Sequence, residues 1–416
     1  MLFLEPFKLA GFRWTWLCIL LAASARYGLV LVGGREAFDI TGSAMWTSLV
    51  MMFLLAPVVV LGPITGAMAD RHLRSLLMGL ALLVACAGCL AGALVSGSDQ
   101  LRLGIVIASS VLVGVSGAMF GPAWQALIPV VLGARKLLGG GAFTRIAGQG
   151  GEFIGPAIGT PIVLGLGTRV GFAYCAALYL LAAVLIPWLV RAEPRTERAV
   201  EPIWPRLVAG MHYVLGHRRV GGLLLLTALH CALTMGFLGL LPGLAAHRLH
   251  DADAYGAIVT ALGLGAIVGA LVLAVLSTRA VTTPALIACG LGSGAFQVWM
   301  GLAGSVTGAL VAAFLTGAAQ STFMAASYSA VQTLTEERFR GRVASVSMMM
   351  TAGSMGLLGM AWAALADLWS EAFVLALLGA LFILVMAVFL ALFTPLRTRG
   401  GLDVASSTTV LATGTP

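Results

Sequence analysis

The chain has 416 residues, 60% of them hydrophobic and only 10% charged, with a formal net charge of +8. An ordinary soluble domain carries about 25% charged residues, so the composition excludes a soluble globular protein and points to an integral membrane protein. The only lysines are Lys8 and Lys136, which leaves no GxxxxGK[ST] phosphate loop; with no HExxH either, neither an ATP-driven pump nor a zinc hydrolase is supported.

A transmembrane helix needs roughly 20 mostly apolar residues. Runs that meet this are expected at 12–33, 43–69, 75–96, 103–131, 138–166, 171–191, 220–246, 255–277, 284–303, 308–333, 343–366 and 372–394. Basic residues are retained in cytoplasmic loops. With both termini inside, only Arg35, Arg102, Arg169 and Arg248 of the 24 basic residues fall on the outer side, and Arg26 and Arg145 fall within spans. The net charge therefore reflects topology, and no nucleic-acid partner is expected. A competing reading takes Lys8, Arg13 and the small residues Ala23, Ser24 and Ala25 as a cleavable signal peptide. Cleavage would leave eleven spans and break the charge parity.

The chain divides into a six-helix bundle over 1–191, a cytoplasmic linker over 192–219, a second six-helix bundle over 220–394 and a cytoplasmic tail over 395–416. The linker core, "IWPRLVAGMHYVLGHRR", mixes Trp204, Met211 and Tyr213 with Arg and His, which reads as a helix lying on the cytoplasmic leaflet or as a solvated linker. The halves align at a shift of 203 residues, which places Gly62 and Gly66 on Gly265 and Gly269 and Arg135 on Arg338. Such duplication points to a transporter whose site lies between the repeats, near the midplane.

Along the chain, three charges lie inside expected spans: Arg26, Arg145 and Glu152. A charge at the bilayer centre costs roughly 2.5–3.5 kcal/mol on insertion scales and marks a pathway when it faces the bundle interior. Arg145 and Glu152, with Gln149 between them, share one helix face about 10 Å long at 1.5 Å per residue. Glu152 is the one acidic residue placed inside a span, and it suits a group that takes a proton on one side and releases it on the other. Arg145 could instead snorkel to the surface, and Glu152 could serve only as a structural partner.

His230, in the seventh span, is a further titratable candidate or a packing residue. Phe120, Trp124, Gln149, Trp299 near Gln297, Gln320 and Tyr328 with Ser327 are candidates to line a substrate cavity, although helix packing accounts for most such residues. Met348, Met349, Met350, Met355 and Met360 give one helix an adaptable surface. Cys86 and Cys89 form a CxxC inside a span and read as small packing residues. "HRLHDAD" (247–253) reads as a solvated loop, and no metal or cofactor is expected.

The stretch "GPITGAMADRHLR" (62–74) follows the second span, and its Gly62, Gly66, Asp70, Arg71 and Arg74 resemble the loop signature of the major facilitator superfamily. The glycines are expected to let two helices approach closely, Asp70 to begin the third helix at its positive dipole end, and Arg71 and Arg74 to anchor the loop inside. The resemblance implies a twelve-helix, all-α fold of two pseudo-repeats in which Asp70 latches onto the start of the eleventh helix, "RFRGRVASV" (338–346). Leu273 stands at the equivalent of Asp70 in the second half.

"GEFIGPAIGTP" (151–161), through Gly151, Gly155, Pro156 and Gly159, is similar to the antiporter motif of the superfamily's drug exporters. "DITGSAMWTSLV", "MFGPAWQALIPVVL" and "ERFRGRVASV" look like the branch holding the enterobactin exporter and the macrolide efflux proteins. Ser110 stands where the family's relay arginine is usual. The resemblance implies a monomeric inner-membrane exporter of an amphiphilic small molecule, such as a siderophore or drug, in exchange for protons and surrounded by lipid. A uniporter, a lipid or lysolipid flippase and a non-transporting sensor are the alternatives.

Overall fold

The structure is a computed structural model that describes residues 7–71, 73–132, 137–192, 203–276 and 279–392. Without water inside a bilayer, backbone polar groups must be satisfied within each segment. The described residues are accordingly helical and contain no strand. The helices are α1 (Ala10–Thr41), α2 (Ala44–Arg71), α3 (Arg74–Leu94), α4 (Asp99–Leu132), α5 (Leu137–Leu166), α6 (Thr168–Val184), α7 (Ile186–Ala192), α8 (Ile203–Gly216), α9 (Arg218–His230), the single turn α10 (Leu241–Gly243), α11 (Ala254–Leu276), α12 (Arg279–Leu302), α13 (Val306–Leu334), α14 (Arg340–Leu368) and α15 (Glu371–Leu392). Among the described residues eleven segments are long and apolar enough to span a membrane. The exception among the long helices is α5, whose 30 residues include Gln149, Glu152, Pro156 and Pro161.

Turn chemistry separates the spans. α1 ends on Gly42 at φ 64°, a left-handed cap, and Gly167 at φ 86° precedes α6. Ser305 caps α13 by accepting from Gly308 N. The bundle has two large apolar cores. One gathers residues of α1–α7, and the other is built mainly from α8–α15, with Tyr213 and Val214 of α8 inside it. The halves meet where α2 packs on α14 and α5 packs on α11.

Three expectations are corrected. α1 runs to Thr41, well past the expected end at 33, so Glu36 joins Glu152 as an acidic residue inside a long helix; it is buried and held by Arg102 and by Thr168 Oγ1 at 2.5 Å. Asp70 lies in the last turn of α2 and not at the start of α3, which begins at Arg74. The side chains of Asp70 and Arg71 lie outside the described residues, and Arg74 is buried. Finally, Gly62 and Gly66 are not at a close helix contact: a β-carbon added at either would meet no described atom within 4 Å, whereas at their repeat partners Gly265 and Gly269 it would collide with the backbone of Phe314 and Ala318.

Phe314 and Ala318 belong to α13, so the contrast is one of packing within each half. We call the end carrying the α1–α2 turn the upper end. There Asp367, at the end of α14, accepts hydrogen bonds from Ser43 Oγ (2.5 Å), Ala44 N (2.7 Å) and Met45 N (3.2 Å) and so caps α2 from the opposite half. Arg35 reaches Asp253 Oδ1 at 3.2 Å and the Ala252 carbonyl at 3.1 Å, and Phe38 meets the His247 ring at 5.8 Å. Leu55 packs beside Gly356, and Val59 lies 4.0 Å from where a Gly353 β-carbon would be. Among the described residues the halves are thus closed at the upper end.

The seventh span is irregular where a plain helix is expected. After α9 it runs through a π turn (Cys231–Met235), a 3-10 turn (Gly236–Leu240), α10 and a second π turn (Leu244–Arg248). Gly236 lets this segment touch the backbone of Gly359. Four carbonyls just before or within the first π turn accept side-chain donors from three neighbours: Ala228 from Ser354 Oγ (3.0 Å), Ala232 from Trp362 Nε1 (3.0 Å), Leu233 from Gln297 Nε2 (3.0 Å) and Thr234 from Gln320 Nε2. Non-α backbone at membrane depth persists where buried protein groups satisfy it.

Candidate transport site

The glycines of α5 position the candidate site. α5 lies against α1 so closely that a β-carbon at Gly151 would sit 2.3 Å from Ala23 Cβ, and one at Gly155 would sit 2.3 Å from Ser24 O. At Gly159 the nearest atom is Leu31 Cδ2, 3.2 Å away. On α5's other flank, Gly263 of α11 abuts the backbone of Glu152 and Phe153. Pro156 removes one backbone donor from this helix.

That contact brings Glu152 to Arg26 and Tyr27 of α1. The Tyr27 hydroxyl and the Arg26 guanidinium are the polar and the cationic neighbours of the Glu152 carboxyl. Arg26 extends beside Gly117 of α4, whose missing side chain leaves its Nη1 3.6 Å from the β-carbon position. Arg26, Tyr27 and Glu152 thus form a polar cluster between α1 and α5 inside the first half. Gln149, one turn before Glu152, donates from Nε2 to Ser321 Oγ of α13 at 2.9 Å and so reaches the second half. The α5 face expected from sequence is therefore continued by Arg26 and Tyr27 on one side and by Ser321 on the other. The Arg145 side chain lies outside the described residues. Tyr27 was missed in the sequence; its place next to Arg26 is a usable signal only once α1 is known to pack on α5.

The other candidates are dispersed. His230 is fully buried in the second half, stacked on Phe323 (4.2 Å) and edge-on to Phe382 (4.9 Å), with no described hydrogen-bond partner for either ring nitrogen. Gln320 is committed to the Thr234 carbonyl. Trp299 and Tyr328 are 43% and 44% exposed. Phe120 and Trp124 pack partly buried on the first core. In the 247–253 stretch, His247 Nδ1 meets Glu371 Oε1 at 3.1 Å and Asp253 meets Arg35. All six cysteines are free.

The sequence profile described as "transmembrane secretion effector" matches residues 3–413. The chain belongs to that family, within the major facilitator superfamily. Among curated proteins, no sequence matches it. Solved structures with the same fold include a peptide transporter of the POT family in complex with sulfate, at 14% identity and TM-score 0.74 over 94% of this chain and 98% of that one. A POT family transporter in complex with 5-aminolevulinic acid gives 13% identity and TM-score 0.73 over 93% and 97%. A variant of the nucleoside transporter NupG gives 13% and 0.73 over 92% and 100%. Identities this low speak for the fold alone, an all-helical bundle of the major facilitator type; the family match makes the chain a multi-pass membrane transporter.

Proposed function

We propose that the protein exports an amphiphilic small molecule, such as a siderophore or drug, across the inner membrane in exchange for protons, with both termini cytoplasmic and Glu152 as the proton-coupling group. The observation that carries this reading is the Arg26–Tyr27–Glu152 triad, set beside Gln149 and its bond to Ser321 in the opposite half. Exchange requires proton and substrate to favour different states of one site, since a ligand shifts an equilibrium only by its differential affinity. Charged Glu152 holds Arg26 and Tyr27, and neutral Glu152 releases them to solvent or substrate. The antiporter motif and the family's description as a secretion effector favour outward transport.

The test uses proteoliposomes and a panel of fluorescent amphiphiles that the wild-type chain transports. Glu152→Gln is expected to equilibrate them downhill and to lose uphill efflux under an imposed pH gradient. Full uphill transport by the variant removes Glu152 from the coupling role, and absence of a pH-gradient effect on the wild type leaves the uniport or flippase reading.

The upper closure, together with the basic residues of the lower loops, supports reading this conformation as the inward-facing member of an alternating-access pair, with the Asp70 signature as the latch of the other member. Asp70→Asn is expected to reach the membrane at normal level, to slow transport strongly and to reduce crosslinking across the lower end. Unchanged efflux would reject the latch.

A further inference from the structure

We infer that α8 is a docking arm for an anionic lipid leaflet and that it fastens the start of α14 to that leaflet. Two faces of this 14-residue helix are distinct. Gly210, Tyr213 and Val214 are buried. Gly210 sits against Arg342, with the Arg342 carbonyl 2.9 Å from a β-carbon position, so only glycine admits the contact. Tyr213 lies between the rings of His217 (3.9 Å) and Phe339 (4.5 Å), and its hydroxyl accepts from Glu336 N at 3.1 Å. α8 thus belongs to the second half and grips the turn that leads into α14.

The opposite face is apolar and uncovered. Val208, Met211 and Leu215, spaced to form one helical stripe, are 50%, 45% and 73% exposed. Three facts name what covers them. α8 ends at Gly216 and the spanning segment begins at Arg218, so the stripe lies within a few residues of the bilayer surface. Arg218 and Arg219, both exposed, stand at that junction beside the exposed His217. A helix with an apolar stripe and flanking cations lies in the interface plane and is drawn to anionic headgroups. The occupant is therefore the leaflet of the protein's own membrane. Because Tyr213 and Phe339 tie α8 to the lower end of α14, a change in how α8 seats on lipid is passed to a helix that must tilt when the halves exchange sides.

The test places a spin label at Leu215 through a Leu215→Cys substitution, with Cys289, the one native cysteine not fully buried, replaced by serine. The full chain is reconstituted in nanodiscs of phosphatidylcholine alone or mixed equally with phosphatidylglycerol. The expected result is higher accessibility to oxygen than to a water-soluble nickel reagent in the mixed discs, with a lower ratio in phosphatidylcholine alone. Arg218→Gln with Arg219→Gln should abolish the difference between the two lipids. A label open to nickel in both lipids, or shielded from both reagents as a second copy or a protein partner would shield it, overturns the proposal. So does a lipid difference that survives both Arg substitutions.

Discussion

Gly155→Leu is expected to abolish the folded transporter, and Gly155→Ala to lower its melting temperature sharply, while Gly159→Ala is tolerated. The distinction lies in which atom an added β-carbon meets. At Gly155 it would fall 2.3 Å from the Ser24 carbonyl oxygen and 2.8 Å from Gly28 N, both backbone atoms of α1. Neither can turn aside, so α1 and α5 must separate, and overpacking of this kind costs about 1–3 kcal/mol even where neighbours relax. Separation would also part Glu152 from its polar neighbours Arg26 and Tyr27. At Gly159 the nearest atom is the end of the Leu31 side chain at 3.2 Å, which can shift by a few tenths of an ångström. Thermal denaturation in detergent, followed by tryptophan fluorescence, checks the order. Equal stability of Gly155→Ala and Gly159→Ala would show that the α1–α5 contact is looser than described.

Asp367→Ala is expected to shift the resting population toward the state open at the upper end without unfolding the protein. The α2 N-terminus leaves backbone donors without intrahelical partners, and two of them, Ala44 N and Met45 N, are satisfied by the Asp367 carboxylate of the opposite half. An N-cap contributes about 0.5–2 kcal/mol. Here the contribution exists only while the halves touch, so it adds to the closed state and not to the fold of either half. Asp367 is exposed, which places the value toward the middle of that range; about 1 kcal/mol corresponds to a roughly fivefold shift in the population ratio. Arg35→Gln should shift it less, because the partner Asp253 is 64% exposed and such surface pairs contribute about 0–1 kcal/mol. Crosslinking of cysteines placed at Met45 and Trp369 reads the change. An undiminished yield in Asp367→Ala would remove the cap from the closing mechanism.

Much of the site was legible in the residues because a charge in an apolar run is costly and so stands out by itself: Arg26 and Glu152 are such cases, and Gly151, Gly155 and Gly159 repeat at the four-residue spacing of a helix contact. Their pairing was not legible. A helix apolar on every side gives no periodic signal of which face meets which neighbour, so sequence could not say that α1 presents Arg26 and Tyr27 to Glu152. It could not separate Gly155, packed on backbone, from Gly62, where an added β-carbon meets no described atom.

The sequence by itself determined the membrane class, the succession of spans and the basic linker, since these rest on run length and on where charge is affordable. Only the tertiary structure decided the rest. The irregular seventh span depends on Gln297, Gln320, Ser354 and Trp362 arriving from three other helices to satisfy its carbonyls. The extension of α1 to Thr41 depends on Arg102 and Thr168 holding the otherwise unaffordable Glu36. The cap on α2 comes from Asp367, far along the chain and in the other half. In each case a polar group that reads as unfavourable locally is satisfied by a partner distant in sequence, and the desolvation of an unpaired group makes that partner a condition of the local structure.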